Sequence, residues 1–287
     1  MPSLIDLRRR IRSVKSTQQV TKALKMVSAA KLRRAQDRVI AARPYAAIFR
    51  QVLGDLAAAV EGDEAAGGNP LLKRRPEKRV LLVLFTADRG LAGSFNSNLI
   101  KASHQFIAER VPGTVQLDLV GRKGRDYWRK HKAAILAERI GISQKPTYED
   151  AVGIADEIRA CFEREEADAV YLLSNEFKSI LSQKLAVTRL LPVEFPGERT
   201  SADFIFEQPP AELLGALLPR YVEIAVYHAL LESAAAELAA KLTAMDAATE
   251  NAGEMIDKLT MHMNRVRQAS ITRELIEVVS GAAAAQE

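Results

Sequence analysis

The C-terminal stretch that begins near Pro219 constrains the fold of this chain more than any other segment. Mostly apolar or small residues recur there at alternating steps of three and four. The series comprises Leu217, Tyr221, Ile224, His228, Leu231, Ala235, Leu238, Leu242, Met245, Thr249, Ala252, Ile256, Leu259, Met263 and Val266. A repeat held over about seven heptads is typical of a coiled coil. One helix cannot bury such a seam alone, so the pattern predicts a second long helix beside it.

The first sixty residues are the candidate for this second helix. Ser3 with Asp6 three residues later resembles a helix-start box. A stripe compatible with pairing follows at Leu4, Leu7, Ile11, Val14, Gln18, Thr21, Leu24, Val27, Leu32, Ala35 and Val39. Pro44 should kink the helix or leave one backbone bond unmade. The two terminal segments, residues 1–60 and 209–287, are therefore expected to form an antiparallel two-helix coiled coil.

In the middle of the chain the apolar pattern alternates between that of strands and that of helices, which is typical of an α/β domain. Strands are expected at Arg79–Thr86, Val115–Val120, Ala169–Leu173 and Lys184–Pro192, and helices at Leu99–Arg110, Gly121–Lys132 and Tyr148–Glu165. A hairpin through Phe177–Ser182 is compatible with the pattern, and Glu61–Pro76 has the composition of a linker. Alternating strands and helices favour a small, mainly parallel, Rossmann-like α/β domain over residues 77–208, inserted between the two terminal helices.

The charge distribution points to an acidic partner. Between Arg8 and Arg34 there are ten basic residues and no acidic one, whereas residues 211–287 carry six Lys/Arg against eleven Asp/Glu. The acidic C-terminal helix can neutralise part of this charge, and an external partner or nucleic acid could neutralise the rest. One alternative is therefore a coiled-coil protein that binds nucleic acid, which predicts salt-sensitive DNA binding.

Candidates for catalysis are weak. The loop Thr86–Asn98 follows a predicted parallel strand, and a small-molecule enzyme with its ligand at this loop is a second alternative. Its glycines do not form a dinucleotide fingerprint, so a turn in which Ser94 or Asn96 caps the next helix is favoured. The segment Gly121–Gly124 combines glycine with basic residues, as phosphate-binding segments do, but it lacks the frame of a P-loop. We expect no catalytic residue, no metal site and no cofactor, because the four histidines lack metal-ligand spacing. The single cysteine, Cys161, excludes an internal disulfide.

Both ends of the chain resemble one protein family. The segment ITRELIEVVSGAAA, Ile271–Ala284, resembles the signature of the γ subunits of F-type ATP synthases, and RIRSVKSTQQVTKALKMVSAAKLRRAQ, Arg10–Gln36, is similar to that family's other hallmark. TADRGLAGSFNSN from Thr86 and NEFKSILSQ from Asn175 are similar to two further family segments, in the same order. The resemblance implies the central rotor of the synthase, a shaft that couples proton-driven rotation of the c-ring to ATP synthesis or hydrolysis in the α/β hexamer.

The resemblance also implies partners and contact residues. The expected partners are the α and β subunits, the ε subunit and the c-ring, without nucleic acid. Membrane association is expected only through the complex, peripherally on the cytoplasmic side of the inner (plasma) membrane. Contacts with the β subunit carry over to Lys241, Gln268, Thr272 and Glu274.

Two further surfaces are expected on the shaft. The basic track comprises Arg8, Arg9, Lys22, Lys25, Arg33 and Arg34, and would pass acidic loops of β. The apolar tail comprises Val278, Val279, Gly281 and Ala282, and would turn in an apolar sleeve.

Overall fold

The computed structural model describes residues 3–60, 69–110, 114–194 and 207–284, with only the backbone described at 281–284. The chain divides into two compact units. The first unit contains Met1–Val27 and Leu242–Glu287, and the second contains Ser28–Lys241. The boundaries expected from the sequence, 1–60, 77–208 and 209–287, stay a prediction.

The described elements alternate as the sequence predicted, with one strand added. They are α1 (Leu4–Ala59), a 3₁₀ turn (Pro70–Leu72), β1 (Val80–Phe85), α2 (Phe95–Ala108), β2 (Val115–Val120), α3 (Arg122–Lys130), β3 (Ile135–Arg139), α4 (Tyr148–Glu163), β4 (Ala169–Phe177), β5 (Gln183–Leu191) and α5 (Pro210–Ala284). β3 was not predicted, and α2 begins four residues before the expected Leu99. Pro44 lies inside α1, which continues beyond it. Much of the predicted linker, residues 61–68, lies outside the described residues.

The second unit contains a five-stranded sheet in the order β3-β2-β1-β4-β5. β1 pairs in parallel with β2 and with β4, so that Val80 lies opposite both Val115 and Ala169. β5 returns antiparallel to β4 through the hairpin that the sequence suggested. The predicted mainly parallel α/β domain is thus confirmed, and β1, buried at all six positions, is its central strand.

Alternate residues of β1 enter two different apolar cores. Leu81, Val83 and Phe85 face the core that contains α4 and the N-terminal part of α5. Val80, Leu82 and Leu84 face the core that contains α2 and the ring of Trp128. Because side chains of a strand alternate between the two faces of a sheet, one continuous apolar strand holds both layers together.

The N-terminal part of α5 buries a different stripe from the predicted seam. In this part of the helix the residues of the predicted seam are only half-buried; they are Leu217, Tyr221, Ile224 and His228. The prediction that this seam is the buried stripe is therefore wrong here. The buried stripe comprises Leu214, Leu218, Val222, Val226 and Leu230. From Ala229 to Glu237 every residue of α5 is buried. The helix therefore packs on several sides here, which a two-helix seam does not anticipate.

In the first unit the two terminal helices pair antiparallel, as predicted. Lys25 contacts Asp246, and Gln18, further toward the N-terminus, contacts Thr249. The predicted helix start is also confirmed, because the Ser3 hydroxyl donates to the Asp6 carboxylate at 2.8 Å and accepts from the Asp6 N–H at 3.1 Å. Val27 is 52% exposed, so its place in the predicted stripe is wrong, whereas Ser28 is 3% exposed.

Candidate functional site

The loop after β1 uses its polar groups on its own chain. The Asp88 carboxylate accepts from the Arg122 N–H at 3.1 Å and from the Ser143 hydroxyl at 2.9 Å. Burial alone would raise the pKa of Asp88, but hydrogen bonds from Gly141, Ser143 and Arg122 outweigh burial and hold that pKa below its usual value. The Asp88 carboxylate is therefore an anchor for neighbouring loops.

The predicted side-chain capping of the next helix by this loop is wrong. The Asn96 side chain accepts from the Ala87 N–H at 2.9 Å, which ties the loop to the start of α2. Ser94 occupies the position that precedes α2, but its side chain makes no capping bond. Its hydroxyl instead accepts from the Asn98 amide at 3.3 Å. The side chains of Asn96 and Asn98 thus form bonds within the loop and at the start of α2 without capping that helix.

Helix α5 covers the edge of the sheet where a doubly wound fold binds its ligands. Ala236 of α5 packs in one cluster with Ala87 and Leu173. Ala87 follows the carboxyl end of β1, and Leu173 ends the part of β4 that pairs with β1. Beside it, the side chain of Glu237 is 4% exposed and pairs with Lys241 at 2.8 Å. In other doubly wound folds this crevice receives a cofactor or substrate. In this chain the crevice is filled by the chain's own helix.

Three carboxylates of α5, which we name the carboxylate clasp, are buried in the second unit. They are Glu223, Glu232 and Glu237, at 6%, 3% and 3% exposure. Glu232 accepts from the Arg43 Nε at 3.1 Å and Nη2 at 3.0 Å through Oε1, and from the Phe177 N–H at 2.7 Å through Oε2. One carboxylate thus joins α1, β4 and α5. Buried charges are retained only where they are paired, and they fix geometry more than they add stability.

The other two members of the carboxylate clasp have different partners, because Glu223 binds a residue of α4 and Glu237 pairs with Lys241 of its own helix. Glu223 accepts from the Tyr148 hydroxyl at 2.5 Å and from Arg220 at 3.0 Å. Burial and the contact with Glu223 raise the pKa of Tyr148, so its hydroxyl stays a donor. Burial raises the pKa of Glu237 against the opposing effect of Lys241, and the negative charge of Asp88 adds to the rise. Glu223 and Glu232 thus tie α5 to neighbouring elements, and two such ties oppose rotation of the helix about its own axis.

His228 lies within the same network. Its Nε2 is 3.5 Å from Glu232 Oε1, and the side chain is 31% exposed. Burial lowers the pKa of His228, the charge of Glu232 acts in the opposite direction, and Arg43 and Arg50 lower it further. His228 is therefore a half-buried polar residue of this network.

A polar layer crosses the helix pair of the first unit. The Thr249 hydroxyl contacts the Thr21 hydroxyl at 2.8 Å, and the Gln18 amide donates to the Thr249 carbonyl at 3.4 Å. A Cβ added at Gly253 would lie 3.2 Å from Gln18 Nε2, so the glycine leaves room for that amide. A polar group in an apolar seam specifies register, because a slipped pair would leave it unpartnered.

Most side chains of the predicted basic track are exposed. In the first unit, Arg8, Arg9 and Lys22 have no carboxylate partner among the residues that the structure describes, whereas Lys25 pairs with Asp246 at 2.5 Å. In the second unit, Arg33 and Arg34 are likewise exposed and have no acidic partner within the described ranges. These cations can therefore act on an external anionic surface.

The predicted β-contact residues occupy two different environments. Gln268, Thr272 and Glu274 are exposed on α5 in the first unit. The Thr272 hydroxyl donates to the Gln268 carbonyl at 2.9 Å, and Glu274 accepts from Ser270 at 3.1 Å. Lys241, in the second unit, is 17% exposed and is paired with Glu237. Exposed polar groups on α5 are thus available at three of the four predicted positions.

The C-terminal part of α5 exposes a continuous apolar surface. Ile271, Leu275, Ile276, Val278 and Val279 are 49%, 60%, 60%, 69% and 67% exposed. The side chains of Gly281 and Ala282, also predicted for the apolar tail, lie outside the described residues. An apolar patch of this kind marks a surface that a partner covers.

The sequence reasoning missed the carboxylate clasp. A signal was present, because Glu232 and Glu237 interrupt a stretch of leucine and alanine in LLESAAAELAAKL. Among the described residues no helix is long and apolar enough to span a membrane, and no group of three His, Cys, Asp or Glu residues is placed to hold a metal ion.

Comparison with known proteins identifies similar chains over the full length. A family model described as ATP synthase matches residues 3–285. The chain is 63% identical to an ATP synthase gamma chain of Solibacter usitatus, with 100% of both chains covered, and 49% identical to one of Desulfitobacterium hafniense, with 99% of both covered.

Solved structures agree with these relatives. The central stalk and c-ring structure of the Tetrahymena thermophila mitochondrial ATP synthase contains a chain with a TM-score of 0.62 at 25% identity, over 80% of this chain and 99% of that one. A Euglena gracilis mitochondrial ATP synthase structure contains a chain of the same fold, with a TM-score of 0.69 at 18% identity, over 98% of this chain and 94% of that one.

Proposed function

The chain belongs to the family of ATP synthase gamma chains, and from this premise we propose that it is the central rotor shaft of an F-type ATP synthase. It couples rotation of the c-ring to ATP synthesis or hydrolysis in the α/β hexamer and has no catalytic site of its own. The antiparallel pairing of its two terminal helices, with an uncovered apolar and charged surface, carries this proposal. A shaft must be stiff and must leave its outer surface free for the subunits that it passes.

Contact with the β subunit is the first part of the proposal. Gln268, Thr272 and Glu274 are exposed and offer an amide, a hydroxyl and a carboxylate to a partner loop. Lys241 contributes through the fraction of its side chain that remains exposed beside Glu237. Short polar side chains on a helix can form and break such contacts without rearrangement of the shaft.

The basic track acts as a set of weak, screened attractions to acidic loops of the hexamer. Exposed ion pairs contribute about 1 kcal/mol or less each. A series of weak contacts lets the shaft pass each loop in turn, whereas one strong salt bridge would hold it in one position. The apolar tail turns within an apolar sleeve, which covers Val278 and Val279.

The α/β domain is the foot of the shaft. We propose that it binds the ε subunit and the c-ring, which places the chain peripherally at the cytoplasmic side of the inner membrane. The carboxylate clasp supports this role, because Glu232 accepts from the Phe177 N–H of β4 and Glu223 accepts from the Tyr148 hydroxyl of α4, and these two bonds join α5 to the α/β domain. Torque applied to the domain is then transmitted to the helix.

The experiment that tests the proposal removes this chain from its own complex. The α, β and remaining subunits are co-expressed with and without it, and ATP-driven proton pumping is measured in inverted membrane vesicles. The chain should co-purify with α and β, and pumping should require it. A complex that pumps protons at the normal rate without this chain would refute the proposal.

A further inference from the structure

A groove between α2 and α3 is not used by the rotor role. It has a volume of about 760 Å³ and lies along the two helices, away from the crevice that α5 fills. Its walls carry the ammonium groups of Lys101, Lys123 and Lys130 and the rings of His104 and Tyr127. A volume between about 300 and 1,000 Å³ is typical of a site for a small molecule.

The groove has an excess of positive charge that the chain leaves unneutralised. Lys101, Lys123 and Lys130 are exposed, and none has a carboxylate partner within the part of the chain that the structure describes. Asp126, the acid at the groove, is paired with Arg125 at 2.7 Å. Three ammonium groups around one concave surface repel one another, so an anion that enters the groove removes an electrostatic cost.

The position of Lys123 directs its charge toward the loop after β1. A Cβ added at Gly90 would lie 3.8 Å from Lys123 Cε and 4.0 Å from its Nζ. The end of the Lys123 side chain thus lies beside Gly90, and the lysine is exposed. Lys123 belongs to the segment Gly121–Gly124, whose weak resemblance to a phosphate-binding segment the rotor role does not explain.

A cluster of aromatic rings forms the second wall. His104 Nε2 is hydrogen-bonded to the Tyr127 hydroxyl at 2.8 Å, and the His104 ring lies 4.4 Å from the Trp128 ring. The His131 ring stacks on Tyr127 at 4.1 Å with an interplanar angle of 20°. A preformed wall of rings with polar edges suits a flat heteroaromatic ligand, because offset or edge contacts add to the apolar burial.

We propose that this groove binds a nucleoside di- or triphosphate, with the phosphoryl groups at Lys101, Lys123 and Lys130 and the base against His104 and Tyr127. Lysine ammonium groups bind phosphoryl oxygens as point charges, without the fixed fork of arginine. The groove is concave, and Trp128 is 5% exposed, so no large apolar side chain of this cluster is available for insertion into a bilayer. This site is independent of the rotor role.

Trp128 provides the measurement, since it is the only tryptophan of the chain and contacts the His104 ring. The full-length chain is titrated with ADP, pyrophosphate and adenosine while tryptophan fluorescence is recorded. The test variant is the pair K101Q and K123Q, and the matched control is K184Q, which removes an exposed lysine of β5. All three lysines are exposed, so folding should survive, and circular dichroism verifies it.

ADP should change the fluorescence saturably and bind more tightly than pyrophosphate or adenosine. The double variant should weaken ADP binding about tenfold, and K184Q should not change it. An unaltered affinity in the double variant, or equal affinities for ADP and pyrophosphate, would overturn the proposal. So would binding confined to anionic vesicles or to single-stranded RNA, which are tested in parallel.

A second measurement uses the assembled enzyme. With 8-azido-ADP, ultraviolet light should label this chain at a peptide from 95–132 in the wild type, and the K101Q and K123Q variant should lose that label while the hexamer keeps its own. Labelling of the hexamer alone in both enzymes would overturn the proposal.

Discussion

The pair formed by Arg43 and Glu232 offers a sharp test of the carboxylate clasp. Arg43→Met would remove three hydrogen bonds, of 3.1 and 3.0 Å to Glu232 and of 2.8 Å to the Phe177 carbonyl. It would leave a carboxylate of 3% exposure with the Phe177 N–H at 2.7 Å and the His228 ring at 3.5 Å as its remaining neighbours. Removing one partner of a fully buried pair costs about 3–5 kcal/mol. Because the Arg43 side chain is 45% exposed and its pairing is partly screened, we expect the lower value of about 2–3 kcal/mol.

The reverse change should cost less. In Glu232→Gln the amide oxygen can still accept from Phe177, and Arg43 keeps its bond to the Phe177 carbonyl at 2.8 Å. This variant loses one charge-assisted pair, and the exposed part of the Arg43 side chain can be solvated instead. The free energy of unfolding should therefore fall by about 1–2 kcal/mol. The double variant removes both charges, and its cost should fall short of the sum of the single costs by at least about 1 kcal/mol.

Urea unfolding of the full-length chain measures these differences through Trp128, which lies in the same unit as the pair. The matched control is Lys178→Met, which breaks an exposed pair with Glu176 of 3.0 Å at 58% and 39% exposure and should cost about 0.5 kcal/mol or less. If Arg43→Met costs no more than this control, or if the double variant is additive, the buried pair does not fix α5 and the reasoning fails.

Three further predictions follow from the same structure. The double variant Arg33→Ala, Arg34→Ala should assemble normally, but its rate of proton-driven ATP synthesis should be lower and should depend less on ionic strength. If the synthesis rate and its salt dependence, measured on purified enzyme, both match the wild type, the basic track has no such role. Burial lowers the pKa of His228, so the stability that the neutral ring contributes is present above about pH 6.5 and is lost as the pH falls through the lowered pKa. His228→Gln should therefore make the free energy of unfolding less sensitive to acid between pH 7 and 5. Equal pH profiles of the variant and the wild type would contradict this. Cys161 is the only cysteine and is buried, so dithiothreitol should not activate the enzyme through this chain. An activation by dithiothreitol that Cys161→Ser abolishes would contradict this prediction.

Much of the fold could be predicted from local patterns. The run from Val80 to Phe85 is apolar at every position, which only a strand covered on both faces tolerates, and the structure places it at the centre of the sheet. The strand Ile135–Arg139 escaped prediction because ILAER mixes apolar and charged residues without a clear period. It lies at the edge of the sheet, where such a composition is tolerated.

The register of α5 could not be predicted reliably because two apolar stripes compete. Leu217 and Ile224 continue the heptads of the first unit, whereas Leu218 and Val222 form the stripe that the α/β core buries. The sequence alone does not show which stripe faces the second core.

The carboxylate clasp was less accessible still. A glutamate on a helix is usually solvated, and only tertiary structure brings Arg43 and the Phe177 N–H to Glu232. The β-contact residues came from family resemblance and the basic track from the charge distribution, and the roles of both stay predictions until a complex is measured.

The most direct test of the rotor role is observation of rotation. The α/β hexamer containing this chain is fixed to a surface, Cys161 is replaced by serine, and a probe is attached to a cysteine introduced at the exposed Lys184 in the α/β domain. On addition of ATP the probe should turn continuously in one direction, at a rate that follows ATP hydrolysis. A probe that stays still while the same complexes hydrolyse ATP would contradict the proposal that this chain is the shaft.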